Sequence, residues 1–420
     1  LFKDYKISIK TAIKNSTFSI KFKMFQNKGG ESMDYSNRLK KLPNQFFASL
    51  VSKVNHAIAE GRDIINLGQG NPDQPTPNHI VKALQRAVED PQTHKYSPFR
   101  GLIELKKAAS NFYKKQFNVD IDPETEVSIL FGAKAGLVEL PFCLLNDGDL
   151  MLLPDPGYPD YLSGAVLANV NYQTFPLKKE NKFLPDYNAI PVEQKQAAKL
   201  MYLNYPNNPT GATANHDFFE ETVDFAFKNQ ITIVHDFAYG AIGFDGKRPI
   251  SFLEIKGAKK VGVEMYTLSK TYNMAGWRVG FAVGNPIVIE ALNLLHDHMY
   301  VSLFPAIQQS AITALTNDQK CVEKLVNLYE QRRNSFIHAC LEIGWKVDSP
   351  AGSFFAWLPV PEGYTSEEFA DYLLDKANVA VASGIGFGKN GEGFVRVGLL
   401  EDTDRLVEAV KRIGKLGIFL

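Results

Sequence analysis

The sequence predicts an α/β protein, and three observations carry that expectation. Short apolar, β-prone runs recur along the chain, at Val127–Phe131, Asp149–Pro154, Leu200–Leu203, Ile231–His235, Val263–Leu268 and Val279–Val283. Other stretches carry apolar residues at helical spacing. In Gln45–Glu60 these are Phe46, Phe47, Leu50, Val51, Val54 and Ile58, and Gly61 ends the pattern, so a core-facing helix is expected there. Residues able to do chemistry gather where the runs stop, which is where ligands sit in open parallel sheets.

Composition narrows the function classes. A chain of 420 residues, 45% hydrophobic and 22% charged, has ample core for a large and a small lobe. Lys plus Arg and Asp plus Glu both total 46, which argues against a general binder of nucleic acid or of membrane surfaces. No uninterrupted apolar stretch is long enough to span a bilayer. Cys143, Cys321 and Cys340 show no CxxC spacing and leave one unpaired, against a disulfide framework or a zinc site and in keeping with a reducing cytoplasm. Leu1–Ser32 differs in kind, being rich in Lys, Ile, Phe, Asn and Ser with few acids. It has no arginine and no clear cleavage signature, so residues 1–32 are expected to be a non-native or disordered leader, with Met33 as the start.

The chain centres on Tyr266-Thr-Leu-Ser-Lys-Thr-Tyr-Asn-Met-Ala-Gly-Trp-Arg-Val-Gly280. Val263–Leu268 reads as a buried strand ending at Ser269 and Lys270, with the hydroxyls of Thr267, Ser269 and Thr271 around the lysine and Arg278 close behind. A lysine held in an apolar wall loses hydration, which lowers its pKa and frees the amine to attack a carbonyl. Hydroxyls and a guanidinium suit a phosphate dianion. An amine nucleophile beside a phosphate clamp is what pyridoxal 5'-phosphate (PLP) needs, although a plain strand end with a surface lysine would show the same local pattern. Thr267-Leu-Ser-Lys270, followed by Arg278 and Gly280, resembles the lysine segment of fold-type I PLP-dependent aminotransferases, the class I/II group. The resemblance covers nearly everything from Met33 onward. It implies a large domain (76–305) with a mostly parallel seven-stranded sheet flanked by helices, and a small α/β domain built from both chain ends (33–75 and 306–420).

Taken in order, the elements acquire roles from that resemblance. Ile64–Pro77 is a short strand running into a Gly/Pro-rich loop, and the family's N-terminal segment implies that Gly70 offers backbone to the substrate carboxylate. His94–Gly101 is turn-rich; the resemblance implies that Tyr96 reaches the phosphate of a neighbouring subunit, hence a homodimer with shared active sites. An aromatic that only anchors the loop is the alternative. Val127–Phe131, the turn Gly132–Gly136 and the apolar helix Leu137–Leu145 form a general anion site, neither a P-loop nor a dinucleotide fingerprint. By resemblance, Ala133 and Lys134 hold the PLP phosphate through backbone N–H groups. Tyr158, in Asp155-Pro-Gly-Tyr-Pro-Asp-Tyr161, is the family's aromatic stacked on the pyridine ring; simple packing is the competing reading.

Asn204-Tyr-Pro-Asn-Asn-Pro-Thr-Gly211 matches a family motif in which Asn208 bonds the phenolic oxygen of PLP and borders the substrate. Asp236, after Ile231–His235, has a helix cap as its ordinary explanation; it resembles the aspartate that keeps the pyridine nitrogen protonated and makes the ring an electron sink. Tyr239 then donates to the phenolic oxygen beside Asn208, while Thr267, Ser269 and Arg278 face the phosphate. His296 and His298 lie two apart on different helix faces, so no metal site is expected. Ala351–Trp357 resembles the aromatic segment of the substrate side-chain pocket, with Phe354 and Phe355 as candidates. Gly384–Gly388 reads as a loop. Phe394–Gly398 reads as a strand in which Arg396 stands between apolar neighbours and needs an anionic partner; the resemblance makes that partner the substrate α-carboxylate. Asp402–Gly414 closes the chain as a capped amphipathic helix.

The implied activity is amino-group transfer between an L-amino acid and a 2-oxo acid, with Lys270 as the Schiff-base lysine that shuttles a proton between Cα and C4′. Gly-Gln-Gly-Asn-Pro-Asp-Gln-Pro-Thr-Pro77, with Asp155–Tyr161 and His235-Asp-Phe-Ala-Tyr-Gly240, looks most like the methionine-salvage aminotransferases of low-GC Gram-positive bacteria, which make methionine from 4-methylthio-2-oxobutanoate. Neighbouring branches act on aspartate, alanine, aromatic amino acids or LL-diaminopimelate. A PLP-dependent carbon–sulfur lyase would use the same constellation. A PLP-binding transcription regulator would need a DNA-binding domain that Leu1–Ser32 is too short to supply. Neither a nucleic acid nor a membrane is expected as a partner.

Overall fold

The structure, a computed structural model, describes residues 34–43 and 46–419, and the leader expected over Leu1–Ser32 lies outside them. A four-residue helix, Asn37–Lys40, is capped by the Ser36 hydroxyl, which accepts from the Leu39 N–H. The unit from Leu42 onward contains the sheets.

Its strands are β1 (Ile65–Asn66), β2 (Val127–Leu130), β3 (Leu150–Asp155), β4 (Asn171–Pro176), β5 (Ala198–Asn204) and β6 (Thr232–Asp236), then β7 (Gly262–Thr267), β8 (Gly280–Gly284), β9 (Phe355–Pro359), β10 (Val379–Ala380), β11 (Ala382–Ser383) and β12 (Phe394–Gly398). Seven of them form one sheet in the order β2-β8-β7-β6-β5-β3-β4. Pairing is parallel from β7 through β4, and β8 runs antiparallel to both neighbours. The predicted mostly parallel α/β sheet is therefore present.

Both faces of this sheet are covered, which explains why its strands read as continuous apolar runs rather than alternating ones. Ile129, Leu152, Met201, Ile233, Tyr266 and Phe281 enter one buried cluster. Their neighbours Leu130, Leu153, Tyr202, Val234, Met265 and Ala282 enter another, because successive side chains of a strand point to opposite faces. A third core joins Ile65 and Leu67 to Phe336, Trp345, Leu358, Phe369, Val397 and Leu406 around the antiparallel sheet β11-β12-β9 and the parallel pair β1-β10. Gly398 N–H donates to the Leu67 carbonyl, so the loop after β1 lies directly on β12.

Several elements differ from expectation. β7 stops at Thr267, whose hydroxyl accepts from the Ser269 N–H at 3.2 Å, so Lys270 sits on the one-turn helix Leu268–Thr271 rather than on a strand end. The helix after β2 begins at Ala133, four residues before the expected start, because Gly132 supplies the turn at φ 82°. Gly384–Phe387 is a 3₁₀ turn, not an open loop. Asp402 is the N-cap residue of the last helix, Thr403–Gly414, but its side chain makes no capping bond; the carboxylate stands 3.5 Å from Arg332 instead. No helix among the described residues is long and apolar enough to cross a membrane.

Candidate active site

A cavity of about 660 Å³ opens where β5, β6 and β7 end at Asn204, Asp236 and Thr267. Lys270 enters from the one-turn helix, Ala133 and Lys134 from the helix after β2, Gly70 from the loop after β1, and Arg396 from β12. The last strand belongs to the smaller antiparallel sheet, so chain segments more than 300 residues apart share one wall.

Lys270 Nζ donates to the Gly70 carbonyl at 2.9 Å and lies 5.5 Å from the centre of the Phe354 ring. Burial, and then the positive charges of Arg396 and Arg278, bring its pKa down from 10.5 to about 8, against the opposing pull of Asp236. The amine is thus neutral far more often than an exposed lysine. Asp236 lies across the cavity, and burial raises its carboxyl pKa while the Tyr161 hydroxyl, donating at 2.8 Å, pulls it back. Asn204 ties two site residues together: its Oδ1 accepts from the Asn208 N–H at 2.7 Å and its Nδ2 donates to the Asp236 carbonyl at 2.7 Å. The turn carrying Asn208 is held by Asn207, whose Oδ1 accepts from the backbone and hydroxyl of Thr210. Tyr158 and Tyr239 also line the cavity, and burial raises the pKa of both phenols, keeping them protonated.

An anion cradle forms at one end. Ala133 and Lys134, the first two residues of the helix Ala133–Leu144, bring their amides to the space that Thr267, Ser269 and Arg278 also line. Arg278, at φ 55°, donates to the carbonyls of Ala275 (2.9 Å) and Phe131 (3.2 Å), which holds its guanidinium beside Gly132. A Cβ on Gly132 would lie 2.5 Å from Arg278 Nη2, so a side chain there would displace the guanidinium, and the φ of 82° favours glycine. The Lys134 ammonium pairs with Asp160 at 2.9 Å. Thr271, grouped with the other hydroxyls by sequence, meets the Tyr266 hydroxyl at 3.0 Å and does not line the cavity.

The opposite end is set by Arg396, which is 1% exposed. Nη1 donates to Asn208 Oδ1 at 2.9 Å and Nη2 donates to the Gly68 carbonyl at 3.0 Å, while Nε is buried without a partner among the described residues. Aromatic rings of Phe355, Phe387 and Phe47 stand 4.1, 4.8 and 5.1 Å from the guanidinium carbon. Burial lowers its pKa to about 10, and no carboxylate among the described residues pairs with it. A buried guanidinium with a spare donor is a binding site for an anion.

Two expected residues lie outside the cavity. Phe355 lines it, but Phe354 is fully buried, with its ring 5.3 Å from Tyr239 and 4.9 Å from Phe355. Tyr96 is 90% exposed on the chain surface. Three contributors escaped sequence reasoning. Asn204 and Tyr161 stood inside quoted motifs without a role, and Phe47 belonged to a helix read only as core, yet its ring reaches the cavity.

Residues 62–413 match the family model described as aminotransferase class I and II. The chain belongs to that family. Its class I/II aminotransferase relatives include the L-glutamine–4-(methylsulfanyl)-2-oxobutanoate aminotransferase of Bacillus subtilis (strain 168), 66% identical over 92% of this chain and 97% of the relative. An LL-diaminopimelate aminotransferase of Halothermothrix orenii is 44% identical over 91% of this chain and 98% of its own length. Among solved structures, substrate-bound BacF from Bacillus subtilis superposes with a TM-score of 0.89 at 47% identity, covering 92% of this chain and 99% of that one. The class I/II aminotransferases are PLP-dependent and act on amino acids and 2-oxo acids. The predicted fold-type I architecture and transaminase activity therefore hold.

Proposed function

We propose that this aminotransferase holds PLP in the 660 Å³ cavity and moves the amino group of glutamine to 4-(methylsulfanyl)-2-oxobutanoate, giving methionine. The observation that carries the reading is Lys270: an amine with its pKa depressed to about 8 stands in one cavity with a buried carboxylate and two guanidinium groups. The substrate pair comes from the relative that is 66% identical over 97% of its length.

Bound PLP supplies an aldehyde carbon for the amines and a ring that accepts the electron pair released at Cα. The chain's residues do the rest. The amides of Ala133 and Lys134, with Thr267, Ser269 and Arg278, would hold the phosphate. Tyr158 would cover the ring face, and Asp236, steadied by Tyr161, would hold the proton on the ring nitrogen. Asn208 and Tyr239 would donate to the phenolic oxygen. Lys270 Nζ would attach the cofactor and, once freed by the substrate amine, is the base placed to take the proton from the substrate Cα. Arg396 and the Gly70 backbone grip the substrate α-carboxylate, its end fixed against Asn208.

Phe355 and Phe47 line the cavity, where a thioether side chain would gain a favourable sulfur–aromatic contact. Phe354 supports this wall from behind, through Tyr239. Tyr96, exposed on the single chain, reaches the phosphate of a second copy, which makes the active unit a homodimer. Residues 33–75 and 306–420 act as the small domain and 76–305 as the large one. The thiols Cys143, Cys321 and Cys340, all free, suit the cytoplasm.

The test is to load purified protein with PLP, follow its visible spectrum as glutamine is added without an oxo acid, then add 4-(methylsulfanyl)-2-oxobutanoate and measure methionine. A spectral change with one equivalent of oxo acid, followed by methionine, is the expected result. In a parallel run with an amino acid that carries sulfur on Cβ in place of glutamine, ammonia and oxo acid formed in multiple turnovers without a second substrate would make the protein a carbon–sulfur lyase instead.

A further inference from the structure

The glycine run Gly384–Gly391 is left unused by the proposed chemistry, yet it links the Arg396 end of the substrate site to the segment that carries Tyr158. Its Phe387 ring stands 4.8 Å from the Arg396 guanidinium carbon and edge-on to Trp357 at 5.8 Å. Two residues of the run reach the other way, to the segment that follows β3. The Asn390 N–H and Nδ2 donate to the two oxygens of Asp155 at 3.0 and 2.9 Å. The Phe387 carbonyl accepts from the Gly157 N–H at 2.8 Å. Gly388, at φ 129°, lies against the Asp155 carboxylate with no room for a Cβ. Asp155 is buried and is the last residue of β3; Tyr158 follows three positions later in the cavity wall.

We propose that Gly384–Gly391 is a strap, fastened by the Asp155–Asn390 pair, that fixes the Arg396 guanidinium relative to the Tyr158 ring, making Asp155 and Asn390 positioning residues for substrate-carboxylate binding. A bidentate pair holds orientation as well as distance, because both hydrogen bonds must break for the strap to lift. Phe387 then moves with the strap, and it is one of the rings that exclude water from Arg396. A loosened strap lets water reach the guanidinium, which weakens its grip on an anion. Glycine at 388 fits this role, since a side chain there would prise the carboxylate from its partner. The proposal rests on Arg396 being the substrate-carboxylate grip.

The experiment uses the PLP-loaded enzyme and three variants. N390D is at an exposed position and sets two carboxylates against each other; D155N/N390D restores an amide–carboxylate pair with the partners exchanged. N390D is expected to raise KM for glutamine and for the oxo acid about tenfold with kcat within about threefold, and the double variant to recover most of that loss. The Gly157 amide should exchange faster with deuterated water in N390D and recover its protection in D155N/N390D. R396Q is the control. If R396Q weakens substrate binding while N390D keeps the parent KM, or if the double variant stays as poor as N390D, the strap is overturned alone. If R396Q itself keeps the parent KM, the reading of Arg396 falls and the strap falls with it.

Discussion

Arg396 Nη1 donates to Asn208 Oδ1 at 2.9 Å, and this single hydrogen bond joins the strand β12 of the small sheet to the loop after β5 of the large one. The contact fixes the Asn208 amide, turning its oxygen to the guanidinium and leaving its NH₂ for an acceptor in the cavity. One asparagine can therefore serve an arginine on one side and a ring oxygen on the other.

That geometry predicts the effect of R396Q. The substitution removes the buried charge and leaves Asn208 Oδ1 without its fixed donor. KM for both amino acid and oxo acid should rise about 100-fold, roughly 2.7 kcal/mol of binding, with bound PLP retained. Steady-state kinetics and the visible spectrum check the two parts separately.

Lys270 predicts a pH dependence. Only the unprotonated amine captures PLP, and the folded-state pKa lies at about 8 rather than 10.5. Capture by the apo chain should accelerate about tenfold per pH unit below that value and level off above it. Arg396 lowers this pKa, so in R396Q the midpoint moves upward. K270A should show no turnover and no cofactor mass on the chain after borohydride treatment; an active K270A would remove the mechanism.

Asp236 and Tyr161 separate a ring contact from its support. D236N takes away the charge facing the ring nitrogen and should lower kcat more than about 100-fold. Y161F removes one donor to that carboxylate, 2.8 Å away, and should cost about tenfold, in the range of a hydrogen bond to a charged group. Single-turnover rates with glutamine distinguish the two.

Gly132 ties stability to the phosphate cradle. G132A places a Cβ 2.5 Å from Arg278 Nη2 at φ 82°. The expected loss is about 1–3 kcal/mol in thermal unfolding, together with weaker PLP binding in a fluorescence titration. Unchanged PLP affinity would mean that Arg278 does not face the phosphate.

Much of this site is readable along the chain because its parts are local. β-prone runs ending in Asn204, Asp236 and Thr267 announce strand ends, and strand ends in a parallel sheet share one edge. Lys270 and Arg278 are named by an eleven-residue stretch, Leu268–Arg278, whose own turns bring them to one cavity. Boundaries are less legible. That β7 ends at Thr267 was not legible, since the β-prone run continues through Leu268 and only the hydrogen bond from the Ser269 N–H to the Thr267 hydroxyl marks the helix start.

By itself the sequence determined the α/β class, the order of the strand-end residues, and the charge balance that argued against nucleic acid. Only the tertiary structure decided which of two adjacent phenylalanines lines the cavity, that Phe47 turns its ring from its helix to stand with Phe355 beside Arg396, that Tyr161 donates to Asp236, and that Gly388 packs against Asp155. The physical reason is range. Periodicity and turn chemistry act over a few residues and fix which face a side chain takes, whereas the contact between Asn208 and Arg396 spans 188 positions and exists only once two separate sheets have packed.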